Sequence, residues 1–201
     1  IGTGPYKFIT YKPGEKIEFE AFSDYWGKKA EWSKVTVLPI TSNPSRVSAL
    51  LSGDVDVINA VPTTEMERLS EDENIDMVQT ESNRVIFWVP DIAREDTPHV
   101  RGNDGSKIKN PMSDLRVRQA FTLAIDRDGI VDDVMQGWAV PANQVVPEQL
   151  GGHNPDIEIP DYNLDKARKL MADAGYADGF KMTIHGTNNR YINDGKLAQA
   201  V

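Results

Sequence analysis

Apolar and polar residues alternate along Lys16–Phe22, with Ile17, Phe19 and Ala21 on one side and Glu18 and Glu20 on the other, and a similar run covers Tyr6–Tyr11. Lys12-Pro13-Gly14-Glu15 between them has turn chemistry, so the two runs predict a β-hairpin with one wet face. Lys34–Ile40 predicts a third strand. Asn43-Pro44-Ser45 then opens a helix on which Val47, Leu50 and Leu51 recur at helical spacing until Gly53 ends it. Val55–Ile58 is apolar again, and strand, helix and strand within about 25 residues predict a parallel crossover and an α/β class.

Thr63–Leu69 predicts a short helix capped by Thr63, with Glu65 and Glu67 where the helix dipole favours acid. Ile75–Thr80 and Arg84–Val89 predict two more strands, the second so continuously apolar that it fits a sheet covered on both faces. Asp91–Pro111 is polar and Gly-rich, and a domain crossing is expected just before it, between Val85 and Ile92. Beyond it the texture turns helical. Ser113 caps a helix with Val117, Ala120, Phe121, Ala124 and Ile125 on one stripe, and Asp128 begins a second through Ile130, Val134 and Met135. Gly137–Pro160 predicts an extended surface loop. Asn163 or Asp165 starts a helix that buries Ala167, Leu170, Met171 and Ala174 and stops at Gly175, Phe180–His185 is a strand, and Asp194–Val201 begins a last helix.

Composition narrows the function classes. With 22 basic and 31 acidic side chains the formal charge is −9, which argues against a surface that tracks nucleic-acid phosphates. The chain has no cysteine, which excludes disulfides, thiolate metal sites and thiol catalysis together. Mean hydropathy is −0.46, and no run approaches the roughly 18 apolar residues of a membrane span. The chain opens at Ile1 without a signal peptide and stops inside its last helix without a C-cap, so a fragment of a longer protein is expected.

Few residues advertise chemistry. His99, His153 and His185 lie far apart with no metal-ligand spacing, so no metal site and no cofactor are expected. Asp126-Arg127-Asp128-Gly129 with Asp132 and Asp133 lacks the spaced ligands of a calcium loop and fits helix capping. Gly2-Thr3-Gly4-Pro5 lacks the lysine and following helix of a phosphate loop, and no Gly-x-Ser-x-Gly elbow exists. The segment His185–Asp194 is richer. It runs from a strand end onto a helix start, where open α/β sheets place ligands, and gathers three side-chain amides, Arg190, Tyr191 and Asp194. Arg190 can pair bidentately with a carboxylate, and Tyr191 offers a ring face and a hydroxyl. A solvated loop with Asp194 as helix cap is the equal alternative. Trp88 is either a core aromatic or part of a cleft wall.

A set of motifs, in order along nearly the whole chain, resembles one family. They are Gly2-Thr-Gly-Pro-Tyr6, Asp24-Tyr-Trp-Gly27, Arg46-Val-Ser-Ala-Leu-Leu-Ser-Gly-Asp-Val-Asp-Val57, Asp114-Leu-Arg-Val-Arg-Gln-Ala120, Ala124-Ile-Asp-Arg127, Pro141-Ala-Asn143 and Ala174-Gly-Tyr-Ala-Asp-Gly-Phe180. Together they resemble the family 5 extracytoplasmic solute-binding proteins of peptide, dipeptide and nickel ABC importers. Asn188–Asp194 is similar to an Asn-x-Arg-Tyr-x-Asn-Asp segment of one subgroup.

The resemblance implies an α/β periplasmic binding protein type II fold, present in part: residues 1–88 would be the middle of a first lobe and 89–201 the opening of a second. It implies a hinged two-lobed carrier, periplasmic or otherwise extracytoplasmic. Such a carrier captures a small peptide or similar solute, delivers it to an ABC permease in the membrane, and works as a monomer without catalysis or nucleic acid. Arg190, Tyr191, Asn189, Asn193, Trp88 and Asn83 are the residues expected to bind solute. Two other readings stand beside it, an α/β hydrolase or transferase and a ligand-sensing lobe of a receptor system.

Overall fold

In the computed structural model, residues 2–201 are described; Ile1, which opens the first expected lobe segment, lies outside the described residues. Contacts divide the chain into two units, one running to Val61 and the other comprising Pro62–Val201.

The first unit is built on an antiparallel sheet of β1 (Tyr6–Lys12), β2 (Lys16–Ala21) and β3 (Lys34–Val37) in that order. The hairpin turn closes when the Glu15 N–H donates to the Lys12 carbonyl at 3.0 Å, with Gly14 at φ +76°, a conformation glycine adopts without strain. Tyr11 pairs with Ile17 and Phe8 with Phe19, the register shifting between Phe8 and Thr10. The Phe8 and Phe19 rings meet edge to face at 6.2 Å. Glu18, on the opposite face, pairs with Lys16 at 2.9 Å and Lys34 at 3.8 Å.

Helix α1 (Asn43–Leu51) starts where Ser42 accepts from the Ser45 N–H and Pro44 supplies a preset φ. It buries Val47 but leaves Leu51 exposed. Arg46 pins both flanks, donating to the carbonyls of Ile40 and Ala60 and to Asn43 Oδ1. The expected strand at Val55–Ile58 does not form. The N–H groups of Asp54 and Val55 turn back onto the Ala49 carbonyl, and the sheet here is purely antiparallel, so no parallel crossover is present among the described residues.

The second unit begins with α2 (Thr63–Ser70), whose cap position is Pro62 and not the expected Thr63. The runs 75–80 and 84–89, both expected as strands, are irregular. A strand is stable only when its N–H and C=O groups meet a neighbouring ladder, and none lies beside these runs among the described residues. Val78 and Val89 are accordingly 93% and 78% exposed. The polar segment after them is held by Asn110, which is 1% exposed. Its amide donates to the carbonyls of Asp91 (2.6 Å) and Arg94 (2.9 Å), and its Oδ1 accepts from the Met112 N–H. The contact division places both sides of the expected 85–92 crossing in this one unit.

Two short strands, β4 (Val100–Arg101) and β5 (Lys181–Met182), pair antiparallel. Helix α3 (Leu115–Ala124) is capped by Asp114, not Ser113, and packs on α5 (Leu164–Asp173), burying Val117, Ala120 and Ala167. Asp114 is the better cap because its carboxylate also holds Arg116 at 2.6 Å. That pairing, above all, lowers its pKa to about 2. Asn163 caps α5, and Phe180 stacks on Phe121 and meets Tyr176 edge-on beside the pair. The expected helix from Asp128 is a single turn, α4 (Arg127–Gly129), widening into an i→i+5 turn through Val134. The last helix, α6 (Asp194–Ala200), buries Leu197 and packs against that wide turn.

Candidate functional site

The segment from His185 to Asp194 crosses from the end of β5 to the start of α6, and one carboxylate organises it. Asp194 is 8% exposed and accepts five hydrogen bonds: from the Thr187 hydroxyl (2.7 Å) and from the backbone N–H groups of Asn189, Arg190, Tyr191 and Gly195 at 2.9–3.1 Å. Burial by itself would raise its pKa. The donated bonds from Arg190, Thr187, Asn189 and Tyr191 outweigh burial and hold it well below the ordinary carboxylate range. The loop is therefore wound around an anion that stays ionised, and Asn189 and Asn193 accommodate the winding with φ of 74° and 56°.

Of the six residues expected to bind solute, four lie on this loop and take different parts. Asn193 faces inward: its amide donates to Thr63 Oγ1 and to the Val134 carbonyl, both at 2.9 Å, tying the loop to α2 and to the wide turn. Arg190 and Asn189 are exposed. The Arg190 guanidinium lies over the half-buried Tyr191 ring, 5.3 Å from its centroid, a cation–π pair that presents a fork and a phenol side by side. Asn83 and Trp88 belong to the irregular 83–89 stretch, and no hydrogen bond joins them to the loop among the described residues. Two shallow depressions of about 220 and 240 Å³ lie elsewhere, the first lined by Arg127, Asp128 and Tyr162 and the second by Thr97, Arg101 and Lys107. Both fall below the roughly 300 Å³ at which small-molecule pockets begin, and neither includes an expected site residue.

Sequence reasoning passed over Asn110 and named Asn193 as a solute contact, not as the tie between the loop and distant elements that it forms. Asn110 had a usable signal, an Asn directly before Pro at a helical start, whereas the partners of Asn193 are 59 and 130 residues away and left none. His153 meets the Val146 carbonyl at 3.0 Å through Nδ1. No cluster of three or more metal-ligating side chains occurs among the described residues.

The sequence model of the family described as bacterial extracellular solute-binding proteins, family 5 Middle, matches residues 1–201. The chain belongs to family 5. Among family 5 relatives, it is 28% identical over 185 residues to the dipeptide-binding protein of Escherichia coli K12, covering 92% of this chain and 32% of that protein. It is also 28% identical to the glutathione-binding protein GsiB of Salmonella paratyphi A, over 94% of this chain and 34% of the relative. Among solved structures, the periplasmic binding protein DppA of Helicobacter pylori, in complex with peptide STSA, superposes with a TM-score of 0.67 at 30% identity, covering 89% of this chain and 32% of that one. The chain thus spans about a third of the length of these family 5 proteins, and its fold is a segment of the mixed α/β periplasmic-binding-protein fold.

Proposed function

We propose that the protein carrying this chain is the extracytoplasmic solute-capturing component of an ABC importer, taking up a small peptide or similar solute and passing it to a membrane permease. The observation that supports this most is the match to family 5 along all of residues 1–201, with a peptide complex among the similar structures. In this reading the chain contributes the middle of one lobe to about Trp88 and the opening of the other from Val89, a boundary different from the contact division after Val61. Solute is held chiefly through its main chain and terminal charges. Arg190 stands at the cleft mouth, where it pairs with a solute carboxylate, Tyr191 faces the solute, Asn189, Asn83 and Trp88 contribute to the wall, and Asn193 sets the loop. The protein works as a monomer and performs no chemistry on its cargo.

The test is calorimetry of the whole protein with a defined set of di- to tetrapeptides. Saturable binding of at least one class, unaccompanied by hydrolysis of the peptide on prolonged incubation, is the expected result. Peptide turnover would favour the hydrolase reading. Arg190→Ala is expected to weaken the cognate peptide by about 2 kcal/mol or more, because a buried carboxylate loses its partner. Unchanged affinity in a fully folded variant would make Arg190 a solvated surface residue.

A further inference from the structure

His99 and His185 are 86 residues apart in sequence, yet the β4–β5 ladder sets them side by side. Val100 pairs with Met182 and the Thr183 N–H donates to the His99 carbonyl, so His99 and His185 are diagonal neighbours on one face of the ladder. Their rings meet at 80° with centroids 4.9 Å apart, and His185 Nε2 lies 3.3 Å from His99 Nδ1. Two neutral imidazoles at that distance share a single proton, since one nitrogen must donate and the other accept.

The same separation suits a metal. Two imidazole nitrogens each about 2.0–2.1 Å from a tetrahedral ion lie about 3.3–3.4 Å apart, whereas the right angle of an octahedral site brings them to about 2.9 Å. The site is also open. His185 is exposed and His99 half-buried. The nearest cation along β4, Arg101, is folded back to donate to the carbonyls of Thr97 and Val100.

We propose that His99 Nδ1 and His185 Nε2 form a two-imidazole site for a divalent transition ion of the zinc class, with water or a carboxylate-bearing solute completing its coordination. The tautomers follow: in the neutral pair the proton between the facing nitrogens is the only proton of the ring that donates it, and as the ion enters it moves through solvent to that ring's outer nitrogen, so that His99 carries its proton on Nε2 and His185 on Nδ1 with no net proton released. Imidazole donors favour zinc, copper, nickel and cobalt over magnesium and calcium, which prefer oxygen. The site stands apart from the Asp194-centred loop and does not depend on the proposed transport role.

The experiment is titration of Zn²⁺ alone into the untagged, chelator-stripped whole protein at about pH 7.5. Co²⁺ serves as a tetrahedral optical probe. One-to-one binding is expected, weakened about tenfold or more in His99→Gln and in His185→Gln and unchanged in His153→Gln. A readout independent of any variant is the imidazole ¹⁵N spectrum of the wild-type protein, in which Zn²⁺ is expected to shift Nδ1 of one ring and Nε2 of the other. Absence of saturable binding, or binding that persists in both single variants, would leave the two rings as a hydrogen-bonded pair only and overturn the proposal.

Discussion

Single side chains carry much of the order in the second unit because long irregular stretches need their backbone groups satisfied one by one. Asn110 satisfies two carbonyls and one N–H from a site almost sealed from water. Asn110→Ala is expected to destabilise the protein by about 2–3 kcal/mol in denaturant melts, and Asn110→Asp by at least as much, because a carboxylate would face two carbonyl oxygens. Asp194 is the complementary case, one acceptor for five donors. Asp194→Asn turns an NH₂ toward N–H groups and is expected to lower the melting temperature and loosen Thr187–Asn193, seen as faster amide exchange there. For both Asp194 and Asp114 the folded-state pKa is depressed, so the stabilisation is present above the ordinary aspartate value near 4 and fades as pH falls below it. For Asp114 that window ends at about pH 2. Melting temperature plotted against pH should therefore fall more steeply below about pH 4 in the wild-type protein than in Asp114→Asn. Parallel curves would show that the Arg116 pairing contributes nothing. None of these roles except the Asn-Pro cap was legible in the sequence, since an acceptor's worth depends on which distant donors the fold brings to it.

Secondary elements divide cleanly by whether their partner is local. Helices α1, α2, α3, α5 and α6 lie within a residue or two of where periodicity and caps put them, because a helix closes its own hydrogen bonds. The hairpin was equally legible: its turn and alternation fix register within 16 residues, from Tyr6 to Ala21. The runs 55–58, 75–80 and 84–89 carry the same apolar signal, yet a strand exists only opposite another, and periodicity does not say whether one is there. In the β4–β5 ladder, β5 lies inside the run Phe180–His185 that periodicity put there, whereas its partner β4 is announced by no pattern, and their pairing sets the register that joins His99 to His185. The α3–α5 contact offers a direct measure of helix packing. Val117 is fully buried between them and Leu115, two residues earlier, is 57% exposed. Val117→Ala is expected to cost about 2 kcal/mol in urea melts and Leu115→Ala no more than about 0.5, and equal losses would mean that α3 packs through a different face.

At the scale of the molecule, the arrangement is a loop wound on Asp194 with a fork and a phenol on it, and the two shallow depressions lined by Arg127 and by Arg101 are each smaller than a ligand pocket and lie away from it. Large apolar side chains stand open as well, Trp26 at 81%, Phe87 at 56% and Val89 at 78% exposed, a pattern that marks surfaces made to be covered. The chain spans about a third of the length of the family 5 proteins it matches. Affinity for a small solute comes from burying most of its surface, typically 70–90%, in a concave site whose polar groups converge. A loop that reaches solute from one side supplies a few of those contacts and leaves the solute in water, where an Arg–carboxylate pair contributes little. The 201-residue chain alone is therefore expected to bind peptides at least a hundredfold more weakly than the whole protein, and Arg190→Ala is expected to matter in the whole protein but not in the isolated chain. Parallel calorimetry of the two, with melting curves to confirm that each is folded, makes the comparison. Micromolar peptide affinity in the isolated chain would show that the Asp194-centred loop and its neighbours are a sufficient site, and that the rest of the protein serves delivery to the permease and not capture.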